Sequence, residues 1–460
     1  MELGVGGSIP PCCTKKMNKE KKLKPSKELP LGFVDRQEKE LLIRDFIISN
    51  IKEVMTKYGF QYLETPSFEY TDSIGKFLPD KDRPDQGVFS FKDEKNWLSL
   101  RYDLTAPLAR YVAKNYLELP KPFKRYQLGT VWRNEKPGPG RYREFLQFDA
   151  DYIGTKNLQA DAELCVLISE ILEKCGLDKR DYTVRISSRE LINKLLEQLK
   201  IKSKDQISTT LRALDKIDRL GWNEVKKLLG EGRKDKSGDY TKGANLKSDQ
   251  IKIIENALNT PNPDLKDVLK IVKIFQDYNF NNYTFAPYVI RGLEYYTGPI
   301  FEVNLNFEVK NSKGQAIQFG SIGGGGRYDN LVNRFGNFDC PATGISIGID
   351  RLVFALMQKK DFKIKTTRPV VICVFDNKNT KEYIDILKKL RVSNISSEIY
   401  PGEGKLKKQM EYANKIGSPA VILYGDDEIK TGKATLKNLE TGNESSIKIE
   451  DLANEIKKLL

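Results

Sequence analysis

One stretch, KRYQLGTVWRNEKPGPGRYREFLQFDADYIG over residues 124–154, restricts the fold of this chain more than any other. In its second half Arg143, Phe145, Gln147, Asp149 and Asp151 fall on one side of a strand and Leu146, Phe148, Ala150 and Tyr152 on the other, because successive strand side chains point to opposite faces. Residues 126–133 also read as a strand, and the NEKPGPGRY between the two is too long for a tight hairpin turn. Long loops in compact folds tend to be functional lids or disordered segments. The polar face of this pair has two readings. Charge-rich strands usually face water. Alternatively, Arg133, Arg141 and Arg143 offer planar forks for phosphate or carboxylate, while Glu135, Gln147 and Asp151 offer partners for an amine or a nitrogen ring. The second set is the chemistry an ATP and amino-acid site requires.

The chain contains no histidine. That removes the usual general base near neutral pH and the commonest metal ligand, so a Ser-His-Asp enzyme and a zinc hydrolase are excluded. Catalysis must use carboxylates, tyrosines, lysines or groups on the substrate. The cysteines, at 12, 13, 165, 175, 340 and 373, lack metal-ligand spacing and read as reduced thiols. A formal net charge of +14 favours a polyanionic partner. No run of about 18 or more apolar residues occurs, so no membrane-spanning helix is expected. The opening MELGVGGSIPPCC lacks the basic start and apolar stretch of a signal peptide. A cytoplasmic, multidomain protein is expected.

Residues 1–30 are Lys-rich and read as a flexible leader. The spacing of Leu41, Leu42, Phe46, Ile47, Ile51 and Val54 predicts a helix over 35–58, stopped by Gly59 and followed by a short strand closed by Pro66. Within 88–120 a strand leads to a helix begun by Thr105, Ala106 and Pro107, with Asp103 placed to cap it. A further helix is expected over 161–174, completing a first part of the main domain over 31–180. Residues 181–285 read as a largely helical insertion whose polar run GEGRKDKSGDYTKGAN is a solvated or RNA-contacting loop. Sheet signals return over 286–360 with IRGLEYYTGPIFEVNL, QFGSIGGGGRYDNLVNRF and ATGISIGIDRLVFAL, the last two running from strand to glycines to helix. Arg351 falls in a first helical turn, where the dipole disfavours a cation, which points to an anionic or aromatic ligand or to an internal carboxylate. After a Lys-rich linker, strands and helices alternate over 367–460, as in a small α/β domain with a mixed sheet.

Five segments in this order resemble the histidyl-tRNA synthetase family of class II aminoacyl-tRNA synthetases. The helix and strand ending at Pro66 resemble motif 1, VWRNEKPGPGRYREFLQFDAD motif 2 and GISIGIDRL motif 3, while RGLEYYTG and GSIGGGGRYD resemble the two histidine-specific motifs. The motif 2 loop looks closest to the alphaproteobacterial branch. The resemblance implies an α+β catalytic domain built on an antiparallel sheet with flanking helices, a helical insertion and a C-terminal α/β anticodon-binding-like domain. It implies that L-histidine is activated with ATP and Mg2+, then transferred to tRNA(His), by a homodimer. By the same resemblance Asp103, Leu104, Thr105, Gln147, Asp151, Arg291, Tyr295 and Tyr296 hold histidine; Arg133, Glu135, Arg141 and Arg351 hold ATP; and Arg133 and Arg291 flank the reacting phosphate. Two other readings compete: a synthetase-like regulatory subunit, which usually lacks the C-terminal domain and has eroded ATP motifs, and a non-catalytic RNA-binding module suggested by charge alone.

Overall fold

The computed structural model describes residues 26–74, 87–234, 238–260, 265–289, 296–311, 313–317, 319–364, 366 and 368–460. Two compact units divide the chain, Met1–Phe362 and Lys363–Leu460.

The first unit is built on an eight-stranded sheet. Its strands, in chain order, are β1 (Gln61–Tyr62), β2 (Phe123–Trp132), β3 (Glu144–Ile153), β4 (Tyr182–Ser188), β5 (Tyr283–Phe285), β6 (Pro299–Leu305), β7 (Ser321–Arg327) and β8 (Ala342–Gly348). They lie in the order β1-β2-β3-β8-β7-β6-β4-β5. Only the edge pairs β1/β2 and β4/β5 run parallel. The expected hairpin is β2/β3, paired from Phe123 opposite Ile153 to Trp132 opposite Glu144. Its apolar face is core: Phe148 lies against Tyr126 and Tyr152 packs edge-on to Phe60.

Helices α1 (Glu38–Lys57), α2 (Thr105–Lys114), α3 (Leu158–Lys174), α4 (Lys266–Asp277) and α5 (Ile349–Gln358) flank the sheet. Helix α1 buries Ile43, Ile47, Ile51, Val54 and Met55, one face at helical spacing, against α5 and α3. It stops where Gly59 adopts φ +71, a conformation that costs glycine little.

The GSIGGGGRYD segment departs from the expected strand, glycine loop and helix. Its glycines are themselves strand β7, hydrogen-bonded on both sides, and only a short 3-10 turn, Val332–Phe335, follows. The cause is proximity: a Cβ on Gly325 would lie 1.9 Å from the Gly344 carbonyl oxygen on β8. The expected insertion is also narrower than 181–285, because β4 and β5 at its two ends belong to the main sheet and α4 packs on α3. The helical cluster proper runs from Arg189 to Asn259 around its own core, which includes Ile192, Leu211, Val225, Leu229 and Ile254. Its polar run forms a two-stranded hairpin, Gly232–Lys234 with Tyr240–Lys242, and residues 235–237 between them lie outside the described residues.

In the second unit, strands Ser397–Ile399, Val370–Ile372 and Ala420–Leu423 run parallel, and Lys433–Asn438 and Glu444–Lys448 continue the sheet antiparallel. Val370, Ile372 and Ile422 face Tyr383, Ile386 and Ile456, while Val371, Cys373 and Val421 face Ala413 and Met410. Helices therefore cover both faces, which explains the continuous apolar runs VVICV and AVIL.

Candidate active site

The polar face of β3 does not meet water. Gln147, Asp149 and Asp151 are 6%, 2% and 1% exposed. Burying carboxylates is costly unless they are paired and hydrogen-bonded. Their balance comes from β2, where the fully buried Arg125 stands directly opposite Asp151. Arg125 Nη2 lies 3.2 Å from Asp151 Oδ2 and also donates to the Leu104 carbonyl at 2.9 Å. The Tyr328 hydroxyl donates to Asp151 Oδ1. Glycine at 344 makes room for this carboxylate, since a Cβ there would sit 2.0 Å from Asp151 Oδ1.

Asp149 joins the same cluster. Its Oδ1 accepts from Gln147 Nε2 at 2.8 Å and its Oδ2 from the Thr105 hydroxyl at 3.3 Å. Burial, then the neighbouring Asp151, push Asp149 up to about 7, against the pull of Arg125 and Gln147. Asp151 is raised as well, by burial, with Arg125 and the Tyr328 hydroxyl opposing. Asp103 lies close enough to raise both. It also caps α2, accepting from Ala106 N at 2.9 Å. The floor thus gathers three carboxyl groups about the buried Arg125, with the buried Arg101 also in the field of Asp149, a setting that favours a cationic ligand.

Beside this floor opens a cleft of about 240 Å³ lined by Arg133, Glu135, Arg141, Phe145, Gln147 and Arg351, with the β7 glycines as one wall. Arg133 Nε donates to the Tyr102 carbonyl at 3.2 Å and Nη2 to Gln147 Oε1 at 3.4 Å, and its guanidinium lies 4.5 Å from the Tyr102 ring centre. Tyr102 in turn donates to Glu135 at 2.6 Å. Arg351 is held by two backbone carbonyls and an aromatic ring. Its Nε donates to the Ser321 carbonyl at 2.9 Å, Nη2 donates to the Phe319 carbonyl, and the guanidinium stands 4.3 Å from the Phe319 ring centre. Arg141 and Arg351 converge at Gly320, where an added Cβ would lie 3.7 Å and 3.8 Å from their Nη2 atoms. Two guanidinium groups converging on a narrow cleft make an anion site. The neighbouring Asp350 is structural: it accepts from Arg36 Nε and from the Leu146 amide, each at 2.6 Å, pinning α5 to β3.

The loop between β2 and β3 folds back on itself, with Gly138 and Arg141 exchanging backbone hydrogen bonds. Arg143, read as a third fork, does not line the cleft; its Nε donates to the Glu135 carbonyl at 3.1 Å and its backbone amide to the Gly32 carbonyl.

The structure therefore brings Arg133, Glu135, Arg141, Gln147 and Arg351 around one cleft and joins Thr105, Asp103 and Asp151 to its floor. Tyr296 packs nearby, its ring against Gly326. The Leu104 side chain is fully buried, so this residue acts through its carbonyl. Arg291 and Tyr295 lie outside the described residues. Sequence reading gave no role to Arg125, Asp149, Tyr328 or Phe145. A second, larger cleft of about 510 Å³ shares Arg141 and continues past Arg185, Lys216, Arg219 and Tyr288 toward the helical cluster. Among the described residues no helix is long and apolar enough to cross a membrane.

Comparison with known proteins gives a consistent result. The family profile described as histidyl-tRNA synthetase matches residues 32–352, and the anticodon binding domain profile matches 369–459. The histidine–tRNA ligase of Bartonella quintana is 44% identical over 460 residues, covering 94% of this chain and 92% of that protein. The histidine–tRNA ligase of Pelagibacter ubique is 47% identical over 472 residues, covering 96% and 100%. The crystal structure of histidyl-tRNA synthetase from Nostoc sp. superposes with a TM-score of 0.71 at 25% identity, covering 95% of this chain and all of that one.

Proposed function

The chain belongs to the histidyl-tRNA synthetase family, and from that premise we propose that the cleft and its acidic floor are where histidine meets ATP. The chain is an ATP-dependent ligase that joins histidine to tRNA. In the first step a histidine carboxylate oxygen attacks the α-phosphorus of ATP, the bond to the β-phosphate oxygen breaks, and pyrophosphate leaves. In the second, the tRNA 3′-terminal hydroxyl attacks the carbonyl of the adenylate and AMP leaves.

The observation that carries the site assignment is the adjacency of Arg133 and Gln147. An α-amino acid presents a carboxylate and an ammonium a few ångströms apart, and the cleft sets a guanidinium beside an amide oxygen on the acidic floor. In this reading the carboxylate lies at Arg133, the ammonium at Gln147, Thr105 and Asp103, and the imidazole at Asp151 and Tyr296. Phe145 and Arg351, both lining the cleft, would sandwich adenine between an aromatic face and a planar cation, with Arg141 and Arg351 on the phosphates. Arg133 would stabilise the negative charge that develops as two anions approach, and Arg291 is proposed to share that role. The adenylate phosphate itself would take the proton from the tRNA hydroxyl, which suits a chain without histidine.

Among the described residues no cluster of three or more carboxylate, thiol or imidazole groups is arranged to hold a metal ion. Mg2+ is proposed as the companion of the ATP phosphates. Histidine-dependent exchange of pyrophosphate with ATP tests the assignment of this chain as a catalyst. Exchange is expected with histidine and with no other amino acid; its absence would instead favour a regulatory or RNA-binding role.

The second cleft, where Arg141, Arg185, Lys216 and Arg219 outnumber Asp215, Asp218 and Glu302, is proposed for the acceptor end of tRNA, the C-terminal unit for the anticodon, and the cytoplasm as the setting. A homodimer is proposed from a small sheet, Phe68–Tyr70, Asn96–Leu100 and Ser90–Asp93, that leaves aromatic surface bare. Phe68, Tyr70 and Phe91 share one face and are 50%, 57% and 43% exposed. Contiguous exposed aromatics of this kind mark interfaces. Replacing Tyr70 by Glu should shift the chain toward monomer in sedimentation equilibrium; an unchanged mass would count against this face.

A further inference from the structure

Asp149 has no assigned contact with the ligand, yet two groups assigned to the amino acid point their hydrogens at it. An amide has a donor end and an acceptor end, and a hydroxyl can give or accept. Above the value of about 7 to which Asp149 is pushed, its ionised carboxylate only accepts, and this removes the freedom. Gln147 must turn its NH2 inward to Asp149, which leaves Oε1 outward, where Arg133 Nη2 lies 3.4 Å away. Thr105 must commit its proton to Asp149, which leaves only lone pairs for the ligand. The Asp103 carboxylate alongside adds further acceptors.

We propose that Asp149 is a positioning residue that makes this end of the pocket selective for an ammonium group, by fixing Gln147 and Thr105 as acceptors. This rests on the reading of the site as the histidine pocket. No neutral residue can do the same at this position. An Asn side chain would accept from one neighbour but set its own NH2 against the other, so that either Gln147 or Thr105 would have to turn a donor toward the ligand's N–H groups.

Two probes separate this role from a structural one. Histidinol keeps the imidazole and the ammonium of histidine; 3-(imidazol-4-yl)propionate keeps the imidazole and carboxylate but has no amine. Their affinities are measured by calorimetry at pH 8, where Asp149 is ionised, for the unsubstituted chain, Asp149→Asn and Asp149→Ala. Both substitutions should weaken histidinol about 10- to 100-fold, the loss expected for hydrogen bonds to a charged group. Binding of the propionate and of ATP should stay unchanged, which also reports an intact fold. Equal weakening of both imidazole ligands would overturn the proposal in favour of general support of the pocket, and unchanged histidinol binding would show that Asp149 does not set the orientation. If the unsubstituted chain binds neither ligand and catalyses no histidine-dependent exchange, the histidine-pocket reading itself falls and takes this inference with it.

Discussion

Arg133→Ala should lower kcat/KM for histidine-dependent pyrophosphate exchange by about 10² to 10³, or about 3 to 4 kcal/mol of transition-state stabilisation, the loss typical of removing one preorganised donor to developing negative charge. The fold should survive. In the free protein Arg133 makes only long contacts, 3.2 Å to the Tyr102 carbonyl and 3.4 Å to Gln147, with its guanidinium resting on the rings of Tyr102 and Phe145. Most of its donor capacity is therefore available to a ligand, and little folding energy depends on it. Arg133→Lys should recover only part of the rate, because an ammonium cannot bridge a carboxylate and a phosphate with a planar fork. Exchange kinetics on both variants, with thermal melts alongside, check this. Near-normal exchange by Arg133→Ala would remove Arg133 from its place between the two anions.

What was legible in the sequence depended on how local the signal was. The β2/β3 pair could be read because alternation is a property of adjacent residues, and Arg351 could be placed in a first helical turn because GISIGIDRL runs from strand into helix within a few residues. The glycines of β7 mislead because Gly usually marks a turn, whereas here Gly323 and Gly325 let β8, and Gly326 lets β6, approach too closely for a Cβ. β4 and β5 were assigned to the insertion because their sheet partners lie far away in sequence. The Arg125–Asp151 pair was within reach. Once Trp132 is set opposite Glu144 at the mouth of the hairpin, counting outward along both strands brings Arg125 opposite Asp151 and Gln127 opposite Asp149. The missing step was the register, which the length of the loop between the strands leaves open.

Arg125 is where the architecture of the site and its stability meet, and Arg125→Met should cost about 3 to 5 kcal/mol at pH 8, the usual cost of removing one partner from a buried ion pair. The substitution keeps most of the volume but leaves Asp151 without its buried ion-pair partner and the Leu104 carbonyl without its donor. The pH dependence has a definite sign. A carboxyl held above its ordinary value destabilises the fold wherever it must ionise: the cost is absent below the ordinary carboxylate range, grows as pH rises, and is complete above the folded-state value. For Asp149 that window ends at about 7 with Arg125 in place. Arg125 is one of the groups pulling both carboxyls down, so its loss moves the window higher and deepens the cost. Melting of Arg125→Met should therefore fall furthest below that of the unsubstituted chain at pH 8 and approach it at pH 5. Adding Asp149→Asn, which removes one of the two charges, should return part of the loss at pH 8 and little at pH 5, a non-additive result expected only of groups that share a field. A deficit that is the same at both pH values, or simple additivity of the two substitutions, would mean that Arg125 supports the sheet by packing and that the acid pair is balanced by something else.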